Sequence, residues 1–128
     1  DLAVNIADRV PDLSRCATVT EPLDFSRMAA IACRMFSQAL DSFAYHDVKS
    51  AESVLRMDDE VDGIHHGHYG QVMQLLHRYP EYGQYYLDCL TISRALERLG
   101  DLATNIAEDV IYLETGRIVR HKLPDSTP

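Results

Sequence analysis

The stretch Glu97-Arg98-Leu99-Gly100-Asp101-Leu102-Ala103-Thr104-Asn105-Ile106-Ala107-Glu108-Asp109-Val110-Ile111-Tyr112-Leu113 decides how this chain folds. At roughly 100° per residue, Glu97, Asp101, Asn105 and Glu108 fall within about 80° of one another on an α-helix. Leu99, Leu102, Ile106, Val110 and Leu113 gather opposite them. The segment therefore reads as one helix with an apolar face and an oxygen-donor face. Like charges one turn apart repel by a few tenths of a kcal/mol per pair, so the acidic row is mildly unfavourable unless a cation lies over it.

The first ten residues, Asp1-Leu2-Ala3-Val4-Asn5-Ile6-Ala7-Asp8-Arg9-Val10, match Asp101 to Val110 at an offset of one hundred, and Asp8 stands where Glu108 stands. Seven of the ten positions are identical, which reads as an internal repeat of about one hundred residues. On this reading residues 1–10 end a first repeat and an upstream portion is expected to be missing. Residues 11–21 link the repeats, residues 22–116 form a complete second repeat, and residues 117–128 make a basic and then disordered tail.

A length of 128 residues fits one domain with a core of ordinary size. The net charge of −8 argues against a nucleic-acid surface or a polybasic membrane anchor, both of which need clustered Lys and Arg. Cations or basic proteins suit it better. Cys16, Cys33 and Cys89 are odd in number and lack C-x-x-C spacing, which suits reduced thiols in a cytoplasmic setting. Cys33 and Cys89 fall in helical patterns, where a small apolar residue would serve. No apolar run approaches the ~20 residues of a spanning helix, and no signal peptide is recognisable.

Three long helices are predicted. The first starts from Thr20 as N-cap and buries a stripe of Phe25, Met28, Ala32, Met35, Phe36, Ala39, Leu40 and Phe43. Asp47 caps the second, which runs to about His77 with Val48, Ala51, Val54, Leu55, Val61, Val72, Leu75 and Leu76 inward. The third runs from about Gln84 to Leu113 or Glu114 and ends at Gly116. Pro11 should stop the opening helix near Val10, and residues 11–21 should form a loop from which Leu13 and Val19 could dock. No segment alternates with period two, so the fold class is all-α, an antiparallel three-helix bundle.

The acidic row has a counterpart in Asp58-x-x-x-Asp62. If the second and third helices are antiparallel neighbours joined near residue 80, Asp58 and Asp101 stand at one height, and the two aspartates of the second helix face inward or to the seam. Carboxylates there need a cation, a proton or solvent, and Arg98 is the nearest basic candidate. Up to four carboxylates and an amide would give oxygen ligation suited to Mg, Ca, Mn or iron. In His65-His66-Gly67-His68, only His65 lies a turn past Asp62 and could add a nitrogen. A solvated acidic face on the third helix and a salt-bridged pair on the second is the alternative without an ion. Neither acidic motif has the Glu-x-x-His of diiron oxidases. His46-Asp47 lacks the other ligands of a metal phosphohydrolase, and no Gly-rich phosphate loop, G-x-S-x-G or activated nucleophile is present.

The run Leu96 to Leu113 with Gly116, the segment Ala51 to Asp62, and Asp1 to Val10 together resemble the helix signatures of the PhoU family, bacterial phosphate-uptake regulators. The resemblance implies two tandem three-helix bundles whose acid-x-x-x-Asp motifs bind multinuclear metal clusters, with Fe, Mn or Mg more in keeping than Zn. The implied ligands are Glu97, Asp101, Asn105, Glu108, Asp58 and Asp62, with Asp1, Asn5 and Asp8 serving the other repeat. It further implies a non-enzymatic cytoplasmic protein peripheral to the inner membrane, and a homodimer is compatible with it. Such a protein links the ATPase of the phosphate ABC transporter to a sensor histidine kinase and represses phosphate-starvation genes. A metal-dependent phosphohydrolase and a metal-free helical dimerisation module are the competing readings.

Overall fold

The computed structural model describes residues 1–16, 19 and 21–120, and every regular element among them is a helix. Helices α1 (Leu2–Ala7) and α2 (Val10–Arg15) are short, whereas α3 (Ser26–Tyr45), α4 (Val48–Arg78) and α5 (Gly83–Thr115) are long and pack pairwise as an antiparallel three-helix bundle. The turns follow from local chemistry. His46 takes the left-handed conformation that ends α3, and the Asp47 carboxylate then accepts the Ser50 N–H at 3.1 Å to cap α4. A single 3-10 turn, Pro80–Tyr82, joins α4 to α5. Gly116, at φ 70°, closes α5 with its N–H on the Tyr112 carbonyl.

Helix α3 starts later than its sequence predicts. Residues 22–25 carry no regular structure, Leu23 is buried, and the Asp24 carboxylate accepts the Ser26 N–H at 2.9 Å, a local bond that marks the helix start at Ser26. The expected cap Thr20 and the tail residues Pro124 to Pro128 lie outside the described residues. The stripe on α3 is also narrower than expected: Met28, Ala32, Met35 and Ala39 are buried, but Leu40 and Phe43 are exposed. Cys89 is buried as a small apolar residue should be, whereas Cys33 faces solvent.

The face that α5 buries differs from the one its large apolar residues suggested. Gly100, Ala103, Thr104, Ala107, Val110 and Ile111 are buried, Leu99 and Ile106 are half-buried, and Leu102 and Leu113 are exposed. Small side chains face inward because α3 and α4 both come close here. A Cβ on Gly100 would lie 3.5 Å from both Asp58 Oδ1 and Val61 Cγ1 and 3.7 Å from Met35 Cε. Of the larger side chains, Leu102 lines a cleft with Leu2 of α1.

Pro11 does not end helical structure: it occupies the first turn of α2, where its missing N–H costs no hydrogen bond. Helix α1 packs on α5 with Leu2 and Ile6 half-buried, while Ala3, Val4, Ala7 and Val10 stay exposed. Their repeat counterparts Ala103, Thr104, Ala107 and Val110 are all buried. Leu2 and its repeat counterpart Leu102 line one cleft between the two copies. Beyond α1, Arg9 Nη1 reaches Asp88 Oδ1 at 3.2 Å, and Gln84 Nε2 donates to the same oxygen at 3.1 Å. Asp88 is only 2% exposed.

Two outcomes are expected in urea denaturation. Gly100→Ala should be neutral or stabilising by up to about 1 kcal/mol, because the added methyl meets ordinary contacts and alanine favours helix. Arg9→Ala should cost about 1–3 kcal/mol by removing the cation from a buried carboxylate, and Asp88→Asn combined with it should restore part of the loss.

Candidate metal centre

Helices α4 and α5 run antiparallel with a fixed register that can be read from side-chain contacts. His65 Nδ1 meets Ser93 Oγ at 2.9 Å, and Asp58 Oδ1 lies against Gly100. Asp62, one turn from each of these α4 residues, is therefore level with Glu97. The expected equal height of Asp58 and Asp101 follows from the same register. Asp58 and Glu97 are half-buried on the seam, Asp101 is half-exposed, and Asp62 stands at the solvent edge instead of facing inward.

Glu97 is affected both by burial and by its charged neighbours. Burial raises its pKa above the ordinary carboxylate value, and Asp101 and Asp62 raise it further, while His65 and Arg94 pull the other way. The carboxylates of the two helices thus feel one another across the seam. They form a row along the helix axes, and among the described residues no three His, Cys, Asp or Glu side chains converge on a single point. As a donor set the row is rich in carboxylate oxygen, the chemistry of a site for a hard or borderline cation.

The other predicted residues are dispersed along α5 and α1. Asp1 and Asn5 line a cleft of about 400 Å³ with Leu2, Arg98, Asp101 and Leu102. Asp101 accordingly stands between the α4 seam and the α1 cleft, and Arg98, expected beside Asp58 and Asp62, lies on the α1 side. Asn105 is exposed. Glu108 belongs to a separate depression with Asp109, Tyr112, Ile118, Val119 and Arg120. Asp8 is exposed at the end of α1, away from the repeat motif's place on a continuous helix.

Sequence reasoning missed a polar chain beside the row. Ser93 is fully buried, and its Oγ lies 2.9 Å from the Nδ1 atoms of both His65 and His68. His68, 6% exposed, places Nε2 3.1 Å from the Asp24 carbonyl and packs edge-on against Phe25 with ring centroids 5.1 Å apart. A serine at an inward position of α5 opposite a His-x-x-His pair was the available signal, but it needs the α4–α5 register to be read.

The chain is an all-helical bundle with an acidic signature along its third long helix, and the comparisons with known proteins give its family. A family model for the PhoU domain matches residues 25–110. Proteins named phosphate-specific transport system accessory protein PhoU homolog are similar to the chain in several bacteria. The one from Zymomonas mobilis is 34% identical over an alignment covering 99% of this chain and 52% of that protein. The Deinococcus radiodurans protein is 31% identical, covering 91% and 54%, and the Pseudomonas aeruginosa protein 39% identical, covering 69% and 36%. The chain belongs to the PhoU family. It spans about half the length of the Zymomonas and Deinococcus relatives. No solved structure matches it, and no helix among the described residues is long and apolar enough to cross a membrane.

Burial lowers the pKa of His68 below the ordinary imidazole value of 6.5, the Asp24 carbonyl opposing it. A depressed value in the folded state means that the unfolded chain binds the proton first. Stability from this site is therefore complete above about pH 6.5 and declines as the pH falls from there toward the folded-state value. Urea titrations at pH 7.5 and 5.5 should show a smaller acid loss in His68→Gln than in the unaltered protein; equal losses would remove His68 as a source.

Proposed function

We propose that this chain is a non-enzymatic regulator of phosphate uptake, acting as an accessory to a phosphate-specific transporter. The observation that carries the reading is the family match over residues 25–110, which includes the acidic row of α5. The names of the relatives, all accessory proteins of that transport system, support it. In this reading the helical surface docks on the transporter's ATPase subunit and on a sensor histidine kinase at the cytoplasmic face of the membrane. It thereby represses the starvation response when phosphate is plentiful. Ser93, whose hydroxyl lies 2.9 Å from both His65 and His68, is fully buried and so is not presented to a substrate.

The acidic row is the place where a metal would act. Glu97 and Asp101 from α5 with Asp58 and Asp62 from α4 would hold the ion, Asn105 and Glu108 extending the set along α5 and Asp1, Asn5 and Asp8 supplying the α1 side. The ion would relieve the like-charge crowding that raises Glu97 and fix the surface presented to a partner. Iron, manganese and magnesium suit such donors better than zinc.

Pull-downs with the transporter ATPase and the kinase, using the unaltered chain and a Glu97→Ala, Asp101→Ala double variant, test this directly. Binding of both partners that the double variant loses is expected. Undiminished binding by the variant would remove the metal from the mechanism, and no binding by either protein would remove the regulator.

A further inference from the structure

Large apolar side chains left in water are ordinary when scattered, but several on one edge mark a contact surface. The α4–α5 register, set by His65 against Ser93 and Asp58 against Gly100, puts Tyr69, Met73, Leu87 and Leu90 within about 8 Å of one another along the helix axes. Tyr69, Met73 and Leu87 are 57%, 51% and 52% exposed, and Leu90 is half-buried. They share an edge with the acidic row. On α4, Tyr69 and Met73 fall within about 40° of Asp62, and on α5, Leu87 and Leu90 lie in the same arc of about 80° as Glu97 and Asp101. Asp62 and Asp101 both act on the charge of Glu97, so the two arcs open on one side of the seam. The edge is apolar near the Pro80–Tyr82 turn and acidic farther along, over about 24 Å from Met73 to Asp101.

The chain itself displays the chemistry that such helices accept. Beyond the Gly116 cap, Val119 is buried, Arg117 Nη2 lies 3.5 Å from Glu52 Oε1 of α4, and Arg120 shares a depression with Glu108 and Asp109 of α5. An apolar anchor flanked by arginines over carboxylates is thus how a segment of this molecule packs on the same two helices. We propose that the edge of Tyr69, Met73, Leu87 and Leu90 docks an amphipathic helix of the transporter's ATPase subunit, about four turns long, with apolar side chains at one end and Lys or Arg over Asp62, Glu97 and Asp101 at the other. Helices laid into grooves through i, i+3 and i+4 anchors are a recurring mode of recognition, and the charge at one end fixes the direction of the partner. Arg94, between Leu90 and Glu97, already acts on Glu97. A single divalent ion held by Asp58, Asp62, Glu97 and Asp101 would still leave that end negative. The same charge disfavours an anionic membrane surface as the occupant. This rests on the reading of the chain as an accessory to the transporter, and adds to it the face that docks and the chemistry of the segment it meets.

Calorimetric titration of the full chain with the purified ATPase subunit provides the test. Tyr69→Ser combined with Met73→Ser should weaken binding on the order of 10- to 100-fold. Leu40→Ser combined with Phe43→Ser, which alters comparably exposed apolar residues on α3, should leave it unchanged. Binding of the unaltered chain should weaken as salt rises, and Glu97→Gln with Asp101→Asn should flatten that dependence. A photoreactive benzophenone side chain at position 73 should crosslink to the subunit, and one at position 40 should not. The crosslink needs no destabilising pair of changes, so it reads the contact even where thermal midpoints reveal a folding defect in the serine variant. Undiminished affinity in the Tyr69, Met73 pair, or crosslinking from position 40 and not from 73, overturns the docking edge while the accessory reading stands. An unaltered salt dependence in the Gln and Asn variant overturns the basic end of the partner. If the serine pair dissociates a homodimer, or loses only the kinase, with ATPase affinity unchanged, the edge has another occupant and the proposal is overturned. No binding of the ATPase subunit by the unaltered chain would instead remove the accessory reading, and this docking with it.

Discussion

Close approach of α4 and α5 is the constraint on which the rest of the structure depends. Gly100, Ala103 and Ala107 let the two backbones draw together, and one register then fixes every polar encounter across the seam. Asp58 comes against Gly100, Asp62 level with Glu97, and Ser93 between two histidines. A long or branched residue in place of Gly100, unlike the single methyl of alanine, would run into Asp58 and Val61 and push the helices apart. The small apolar residues and the acidic row are two aspects of one helix–helix contact.

A second constraint acts on the opposite side of α5. Helix α1 packs there, and Leu2 and its repeat counterpart Leu102 line one cleft. The acidic row is therefore flanked by α4 and by α1, and Asp101 contributes to both boundaries. Because the two helix copies share a sequence, the α1 side offers Asp1 and Asn5 opposite Arg98 and Asp101. Arg9 departs from the repeat, where residue 109 is aspartate, and it is Arg9 that reaches Asp88. The copy has diverged at the position that anchors it.

The three long helices, their antiparallel order and the caps at Asp47 and Gly116 were legible because periodicity and end signals act over a few residues and need no tertiary context. The level meeting of Asp58 with the row was legible too, since it follows from counting outward from the turn. The buried face of α5 was not. Leucines mark an apolar stripe, but a helix touching α3, α4 and α1 has several apolar sides, and which one accepts the closest neighbours depends on small residues whose hydropathy is weak. The start of α3 was misplaced because Glu21 and Pro22 make a plausible first turn on their own, while the Asp24 to Ser26 bond that sets the boundary is equally local and sits four residues later. The Ser93 chain was invisible for a different reason: its partners come from α4 and from the segment before α3, separated by 25 and 44 residues at its histidine contacts.

The anchored arm bears on what counts as the folding unit. The family match begins at residue 25 and ends at residue 110, yet Leu23, Ile111 and Val119 are buried outside those limits, and the cation neutralising Asp88 comes from residue 9. A fragment trimmed to the matched span would keep the aspartate and discard its counter-ion, and it would open the end of the core where Ile111 packs. Homology delimits what evolution has kept recognisable; the charge balance and the packed interior of this molecule reach further along the chain in both directions.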